Sequence, residues 1–266
     1  MFRYAKKALQ ASVLTLICWA VIRFDPQGQV FNLAGIFVVV FCTLAATMLG
    51  QSFSGVIELL KVLPQKLKDK SPPNEVDMAL FTKVADYYRL GNIRYAELGT
   101  RRIETPLLRI GAQLVLDRAS TSDIDRAMQW RIGAQRERDN GEIRVFRTMM
   151  SLAPAFGMLG TLFGLIGMLH ELDAQAMQHV GESMGFAMIT TVYGLLAANL
   201  LLKPIIARLE NNSRHRLAWM HVQIEAVQMM QEKCHASVIQ DALMAFLDNP
   251  EIISPREELE LKVVHG

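Results

Sequence analysis

Charged side chains are missing from three long stretches of this chain: Pro26 to Ile57, Thr148 to Leu169 and Ser183 to Leu202. Each is long enough to cross about 30 Å of hydrocarbon at about 1.5 Å per residue. Within the first stretch, Leu33 to Leu49 predicts a membrane span rich in Val, Leu, Phe and Ala. A shorter apolar block, Ala8 to Ile22, precedes it and follows Arg3, Lys6 and Lys7. Alone, that block also fits a secretory signal peptide. It ends in Trp19, Val21, Ile22 and Arg23 without a small-x-small cleavage site, and a second apolar block follows directly, so it reads as a retained short first span. Arg3, Lys7 and Arg23 can snorkel to compensate for its length. Asp25, Pro26 and Gly28 then form the turn of a two-helix hairpin.

From Val56 to Arg147 the pattern changes to helical spacing with abundant charge, as in Ile57, Leu60, Leu63 and Leu67, or Leu107, Ile110 and Leu114. Pro64, Pro72, Pro73 and Pro106 are expected to divide this stretch into separate helices. The run STSDID from Ser120 to Asp125 reads as a helix start with Ser or Thr as N-cap. The third span is expected from Phe146 to His170 and the fourth from Ser183 to about Lys203. Beyond Pro204 the periodicity continues through Leu209, Leu217, Met220, Ile224, Val227 and Met230, so the helix is expected to extend past the membrane or pack beside its neighbours. A short helix from Ala236 to Leu247 and a polar tail follow.

The expected fold is thus an all-α integral membrane protein with four transmembrane helices and a helical domain inserted between the second and third. Its segments are a hairpin over residues 1–55, the inserted domain over 56–147, the third and fourth spans over 148–204 and C-terminal helices with a tail over 205–266. The composition agrees: 51% of the 266 residues are hydrophobic and only 20% charged, which makes a disordered chain or an ordinary soluble enzyme a poor fit. The net charge of +2 gives no nucleic-acid footprint, but it conceals a strong asymmetry. With an even number of crossings, one side holds 27 of the 28 Lys and Arg, and the two short loops hold only Arg23 against Asp25, Glu171, Asp173 and Glu182. The positive-inside bias places both termini and the inserted domain in the cytoplasm. Cys18, Cys42 and Cys234 are too dispersed for a disulfide framework or a metal site.

Little in this chain suggests enzymatic chemistry. No nucleophile, phosphate loop or zinc-type spacing is present, the six histidines included, and no resident cofactor or metal is expected. In the third span Gly157, Gly160, Gly164 and Gly167 recur at steps of three and four, forming a face on which another helix can approach closely. Thr161 sits beside that face, and Thr190 and Thr191 lie in the fourth span. Membrane threonines commonly bond their own helix carbonyls, yet three hydroxyls on adjacent spans can also solvate a small cation or a chain of waters. The second, third and fourth span cores contain no Asp, Glu, Lys, Arg or His, so an ion-conducting role would require a carboxylate from a partner. In the inserted domain, the segment YYRLGNIRYAELGTRRIE sets Arg94, Glu97 and Arg101 on one helical face, either a solvated face or a docking surface for a charged partner.

The run FRTMMSLAPAFGMLGTLFGLIGML, followed by AMITTVYGLLAANLLLKP, closely resembles the paired third and fourth membrane segments of the flagellar stator A subunit, the MotA and PomA family within the MotA/TolQ/ExbB group. The order of hairpin, inserted domain and final pair of spans also matches that family. The resemblance implies a bacterial inner-membrane homopentamer around two copies of a MotB-like or PomB-like peptidoglycan-binding subunit, whose membrane helix supplies an essential aspartate. Ion flow would turn the pentamer against a FliG-like rotor protein. By position, Pro154 and Pro204 match the family's coupling prolines, Thr161 and Thr191 match hydroxyls of the ion path with Thr190 adjacent, and Arg89 and Glu97 match the rotor-facing charged pair. Arg94, Arg101 and Arg102 are further candidate rotor contacts. Two features depart from the family: Asn32 stands where an outer-loop aspartate is common, and Cys234 to Ile239 replaces an NPxxI-like run.

The transported ion is Na⁺ or H⁺. Thr161, where proton-driven relatives often carry Ala, together with Thr191 favours sodium, because dehydrating Na⁺ requires replacement oxygens. An ExbB or TolQ-type energiser of an envelope process is the first rival, but such chains usually have a single span before the insertion. A non-conducting membrane scaffold, in which the glycine faces only hold an oligomer together, is the second.

Overall fold

The computed structural model of the chain describes residues 32–51, 53–68, 75–170 and 177–248. Every regular element among them is helical: α1 (Leu33–Gly50), α2 (Phe53–Lys68), α3 (Glu75–Arg89), α4 (Ile93–Thr100), α5 (Pro106–Leu116), α6 (Thr121–His170), α7 (Met177–Leu196), a π-helical segment (Ala197–Leu202), α8 (Lys203–Gln231) and α9 (Ala236–Asp248). Three of these helices, α1, α6 and the run beginning with α7, contain stretches long and apolar enough to cross a membrane. The expected first span at Ala8 to Ile22 lies outside the described residues, as do the loop acids Asp25, Glu171 and Asp173 and the tail beyond Asp248.

The helix boundaries follow local chemistry. The Asn32 side-chain Oδ1 accepts the Ala34 and Gly35 N–H groups at 3.0 and 3.3 Å, so Asn32 is the N-cap of α1. Ser120 Oγ accepts the Asp123 N–H at 3.2 Å and donates to Asp123 Oδ2 at 2.6 Å, opening α6 where the STSDID run predicted a start. Pro106 occupies the first turn of α5, where its missing N–H is harmless. Pro64 behaves differently from the expectation: it lies inside α2 and does not end it. Its ring is exposed there, so the single lost hydrogen bond opens to solvent and the helix continues.

The chain forms two compact units, residues 1–56 with 147–204 and residues 57–146 with 205–266. In the second, α3, α5, α6, α8 and α9 contribute to one apolar core in which Phe81, Leu108, Met128, Val227 and Leu243 are each no more than 1% exposed. The segments 56–147 and 205–266, separate in sequence, therefore fold largely as one body. Val227 crowds Gly111 so closely that a Cβ there would meet it at 2.5 Å, which explains a glycine in the middle of α5. The buried face of α5 is Leu107, Leu108, Gly111, Ala112 and Val115, with Ile110 and Leu114 only half-buried, one step around from the stripe the spacing suggested. Asp77, 2% exposed, accepts the Glu104 N–H (3.1 Å), the Thr105 N–H (2.7 Å) and the Thr105 hydroxyl (2.5 Å), fixing the entry to α5. Asp139, also buried, accepts from Gln135 and Ser213 at 2.8 and 2.7 Å and ties α6 to α8.

In the first unit, α1 and the C-terminal part of α6 both pack on α7. Every fourth residue of α1 from Gly35 through Val39, Thr43 and Thr47 is buried, and both threonine hydroxyls donate to carbonyls one turn earlier. This self-satisfaction lets hydroxyls lie on an apolar interface without an orphan donor.

Candidate functional site

The centre of the first unit is the crossing of α6 and α7. A Cβ on Gly157 would come within 3.0 Å of the Thr190 carbonyl oxygen and 3.3 Å of Gly194 Cα, and one on Gly160 would meet Thr190 Oγ1 at 2.6 Å. Gly194 is equally constrained, its absent Cβ lying 2.6 Å from the Ala153 carbonyl oxygen and 3.2 Å from Pro154 Cα. Glycine permits this backbone-to-backbone approach because no side chain intervenes. Gly164 is buried on the same face and Gly167 half-buried.

The three threonines divide between two environments. Thr190 is 0% exposed, its hydroxyl donating to Ala187 O at 2.8 Å and its methyl pressed toward Gly35 of α1. Thr161 and Thr191 are half-exposed. Thr161 Oγ1 donates to Met158 O at 2.6 Å, and the residue borders an apolar groove with Leu165, Met184, Ala187 and Met188. Thr191 Oγ1 lies 3.5 Å from Gly157 O, a long contact, and one turn along α7 from Ala187. Since Gly157 is likewise one turn from Thr161 on α6, the two threonines lie on the same side of the helix pair about one turn apart. A threonine that donates its proton to a carbonyl keeps its oxygen lone pairs for another group. This is the chemistry of a cation or water ligand.

Pro154 and Pro204 stand in two contrasting backbones. The α6 helix runs unbroken through Pro154, whose Cα borders the Gly194 seat. Ahead of Pro204 the helix widens into the π segment, with the Lys203 N–H donating to Ala198 O, five residues back. Proline removes one donor and its ring collides with the carbonyl four residues earlier, and the wider turn makes room for the ring. Within the π segment the Asn199 side-chain amide donates to Leu195 O at 3.1 Å.

Sequence reasoning overlooked several residues of this assembly. Gly194 completes the crossing, and its four-residue spacing from Thr190 was a legible small-xxx-small signal. Gly35 and Tyr193 were not legible, because the Asn32 N–H donating to Tyr193 Oη at 2.9 Å joins residues 161 positions apart. Asn32, whose side chain caps α1, has a structural role at the place where the family's outer-loop aspartate was expected.

In the second unit, α3 ends and α4 begins across Leu90, Gly91 and Asn92. The Asn92 N–H bonds to Tyr87 O and the Gly91 N–H to Tyr88 O, with Gly91 at φ +81°, a Schellman closure. Arg89 bonds Asp86 through Nε and Nη2 at 3.2 and 2.9 Å. Arg94, Glu97, Arg101 and Arg102 are exposed and make no ion pair among the described residues. No cluster of His, Cys, Asp and Glu among the described residues could hold a metal ion.

Comparison with known proteins gives a consistent result. Residues 100–221 match the model of the MotA/TolQ/ExbB proton channel family. The chain is 31% identical over 196 residues to the uncharacterized protein YtxD of Bacillus subtilis, spanning 72% of this chain and 71% of that protein. It is 27% identical over 226 residues to Motility protein A of Borreliella burgdorferi, spanning 84% and 86%. Its fold matches that of the C. jejuni MotAB structure, with a TM-score of 0.76, 22% identity and coverage of 93% of this chain and 98% of that one. The chain belongs to the MotA/TolQ/ExbB proton channel family.

Proposed function

We propose that this chain is the ion-conducting A subunit of a flagellar stator, coupling ion flow through a complex with a MotB-like or PomB-like partner to torque on a rotor. The observation that carries the reading is the α6–α7 crossing, with Thr161 and Thr191 on one side of it and no Asp, Glu, Lys, Arg or His from Thr148 to Leu169 or from Ser183 to Leu202. Such a surface can ligate a partly dehydrated cation but cannot carry a proton charge, so the titratable group comes from the partner's membrane helix. Names and structures of the relatives, Motility protein A and MotAB complexes, support the same assignment.

In this reading the chain crosses the inner membrane four times with both termini cytoplasmic, and the second unit lies in the cytoplasm, as the charge asymmetry favours. Five copies surround two partner chains that bind peptidoglycan. Thr161 and Thr191 line the ion path, Thr190 with Gly157, Gly160, Gly164 and Gly167 holds the helices together, and Pro154 and Pro204 couple ion passage to backbone movement. Arg89, Arg94, Glu97, Arg101 and Arg102 face a FliG-like rotor. Sodium is the favoured ion, because two threonine oxygens replace part of its hydration.

The deciding experiment is expression with the partner in a stator-deleted host, with swimming speed measured against sodium at fixed pH. Sodium-dependent swimming that falls in the Thr161→Val, Thr191→Val pair supports the reading. Swimming unaffected by sodium removal would overturn the ion preference, and unchanged ion flux and motility in that pair would overturn the conducting role.

A further inference from the structure

The α3–α4 hairpin exposes more apolar surface than its charges suggest. Tyr87, Leu90, Tyr95 and Leu98 are 39%, 60%, 62% and 53% exposed, and the two tyrosine rings lie 5.8 Å apart across the hairpin. On α4, Leu98 is one turn from Arg94, and Arg101 and Arg102 follow directly after the helix, so an apolar residue has guanidinium-bearing positions before and after it. Among the described residues, the exposed groups of this segment without an ion pair are three arginines, Arg94, Arg101 and Arg102, against two glutamates, Glu97 and Glu104. Isolated exposed apolar residues are ordinary, but a contiguous patch rimmed by polar groups marks an interaction site.

We propose that Tyr87, Leu90, Tyr95 and Leu98 are the affinity-bearing anchors of the rotor interface, which accept an apolar ridge flanked by carboxylates on the rotor protein, while Arg94, Glu97, Arg101 and Arg102 set approach and register. The inference rests on the rotor-binding reading of this hairpin and changes where its binding energy resides. Aromatic and aliphatic anchors at an interface centre dominate affinity, whereas rim charges act mainly on association rate and salt dependence. The excess of arginine selects an acidic partner surface, and the Gly91 closure holds the two tyrosines at a fixed separation, so the patch is preorganised.

The test uses the full stator complex in phosphatidylcholine nanodiscs and the purified C-terminal domain of the FliG-like rotor protein, with Kd measured at low and high NaCl. The Tyr95→Ser, Leu98→Ser pair is expected to weaken binding by about tenfold or more at every salt concentration. The Arg101→Glu, Arg102→Glu pair is expected to weaken it chiefly at low salt. Tyr95→Phe, Leu98→Met is expected to retain binding, which separates a lost anchor from a damaged fold. If the serine pair leaves Kd within twofold while the charge pair weakens it, the anchor inference fails and the rotor-binding surface stands. If neither pair changes Kd, the rotor-binding reading itself fails. Loss of self-association, or of binding to phosphatidylglycerol vesicles, with rotor binding intact would assign the patch to a second copy or to lipid and overturn the inference.

Discussion

Gly157 and Gly194 face each other across the α6–α7 crossing, a Cβ on Gly194 standing only 3.1 Å from Gly157 Cα and 2.6 Å from the Ala153 carbonyl oxygen. The obstructing atoms are backbone, which cannot swing aside as a side chain can. Gly194→Ala is therefore expected to force the helices apart and lower the thermal stability of the detergent-solubilised complex by several degrees. Gly133→Ala, where a Cβ meets nothing within 4 Å, is expected to be neutral or to stabilise α6 by up to about 1 kcal/mol. Equal effects at the two positions would show that the crossing is not close-packed.

The threonines are expected to separate by exposure. Thr191→Val removes a half-exposed oxygen and should reduce ion flux severalfold in vesicles containing the assembled complex. Thr190→Val removes a hydroxyl already committed to Ala187 O, preserves the shape pressed against Gly35 and Gly160, and should leave flux within about twofold. A larger loss at Thr190 than at Thr191 would place the path on the other side of α7.

At the π segment, Pro204→Ala restores an N–H donor and removes the ring that the wider turn accommodates. The helix should then tighten toward an α register, shifting residues 197–203 around the axis. Complexes assembled at normal membrane levels but delivering less than about half the swimming speed are expected. Normal speed would mean that the π register is not used in coupling.

Three helices in the second unit end in the same Schellman closure, but only α3 does so on glycine. Arg118 and Lys233 adopt φ 57° and 58° after α5 and α8. Side chains in this left-handed region are strained, so Arg118→Gly and Lys233→Gly are each expected to stabilise the chain by about 0.5–1 kcal/mol in denaturant titrations. Gly91→Ala should destabilise it by about 1 kcal/mol, and opposite signs would contradict these backbone assignments.

Asp77 is expected to matter far from any interface. Its carboxylate accepts three donors at the entry to α5, and Asp77→Ala would strand the Glu104 and Thr105 amides. A loss of about 2–3 kcal/mol in the same titrations is anticipated, with Asp77→Asn falling between that variant and the parent.

Local chemistry alone determined much of this molecule. The uncharged runs marked α1, the end of α6 and α7, since only stretches without charged side chains suit hydrocarbon. The Ser120 start of α6, the Pro106 start of α5 and the glycine stripe from Gly157 to Gly167 were equally legible, because each depends on neighbours within a few residues. Pro64 shows the limit of such reasoning: an interior proline costs a helix about 3 kcal/mol, and whether the chain stops there depends on what surrounds it. Tertiary structure alone decided that residues 57–146 and 205–266 share a core, that Thr190 is sealed while Thr161 and Thr191 remain open, and that Tyr193 reaches Asn32. Sequence spacing fixes a residue's position around its own helix. It does not contain the distance to another helix, and burial, hydroxyl availability and backbone contact all depend on that distance.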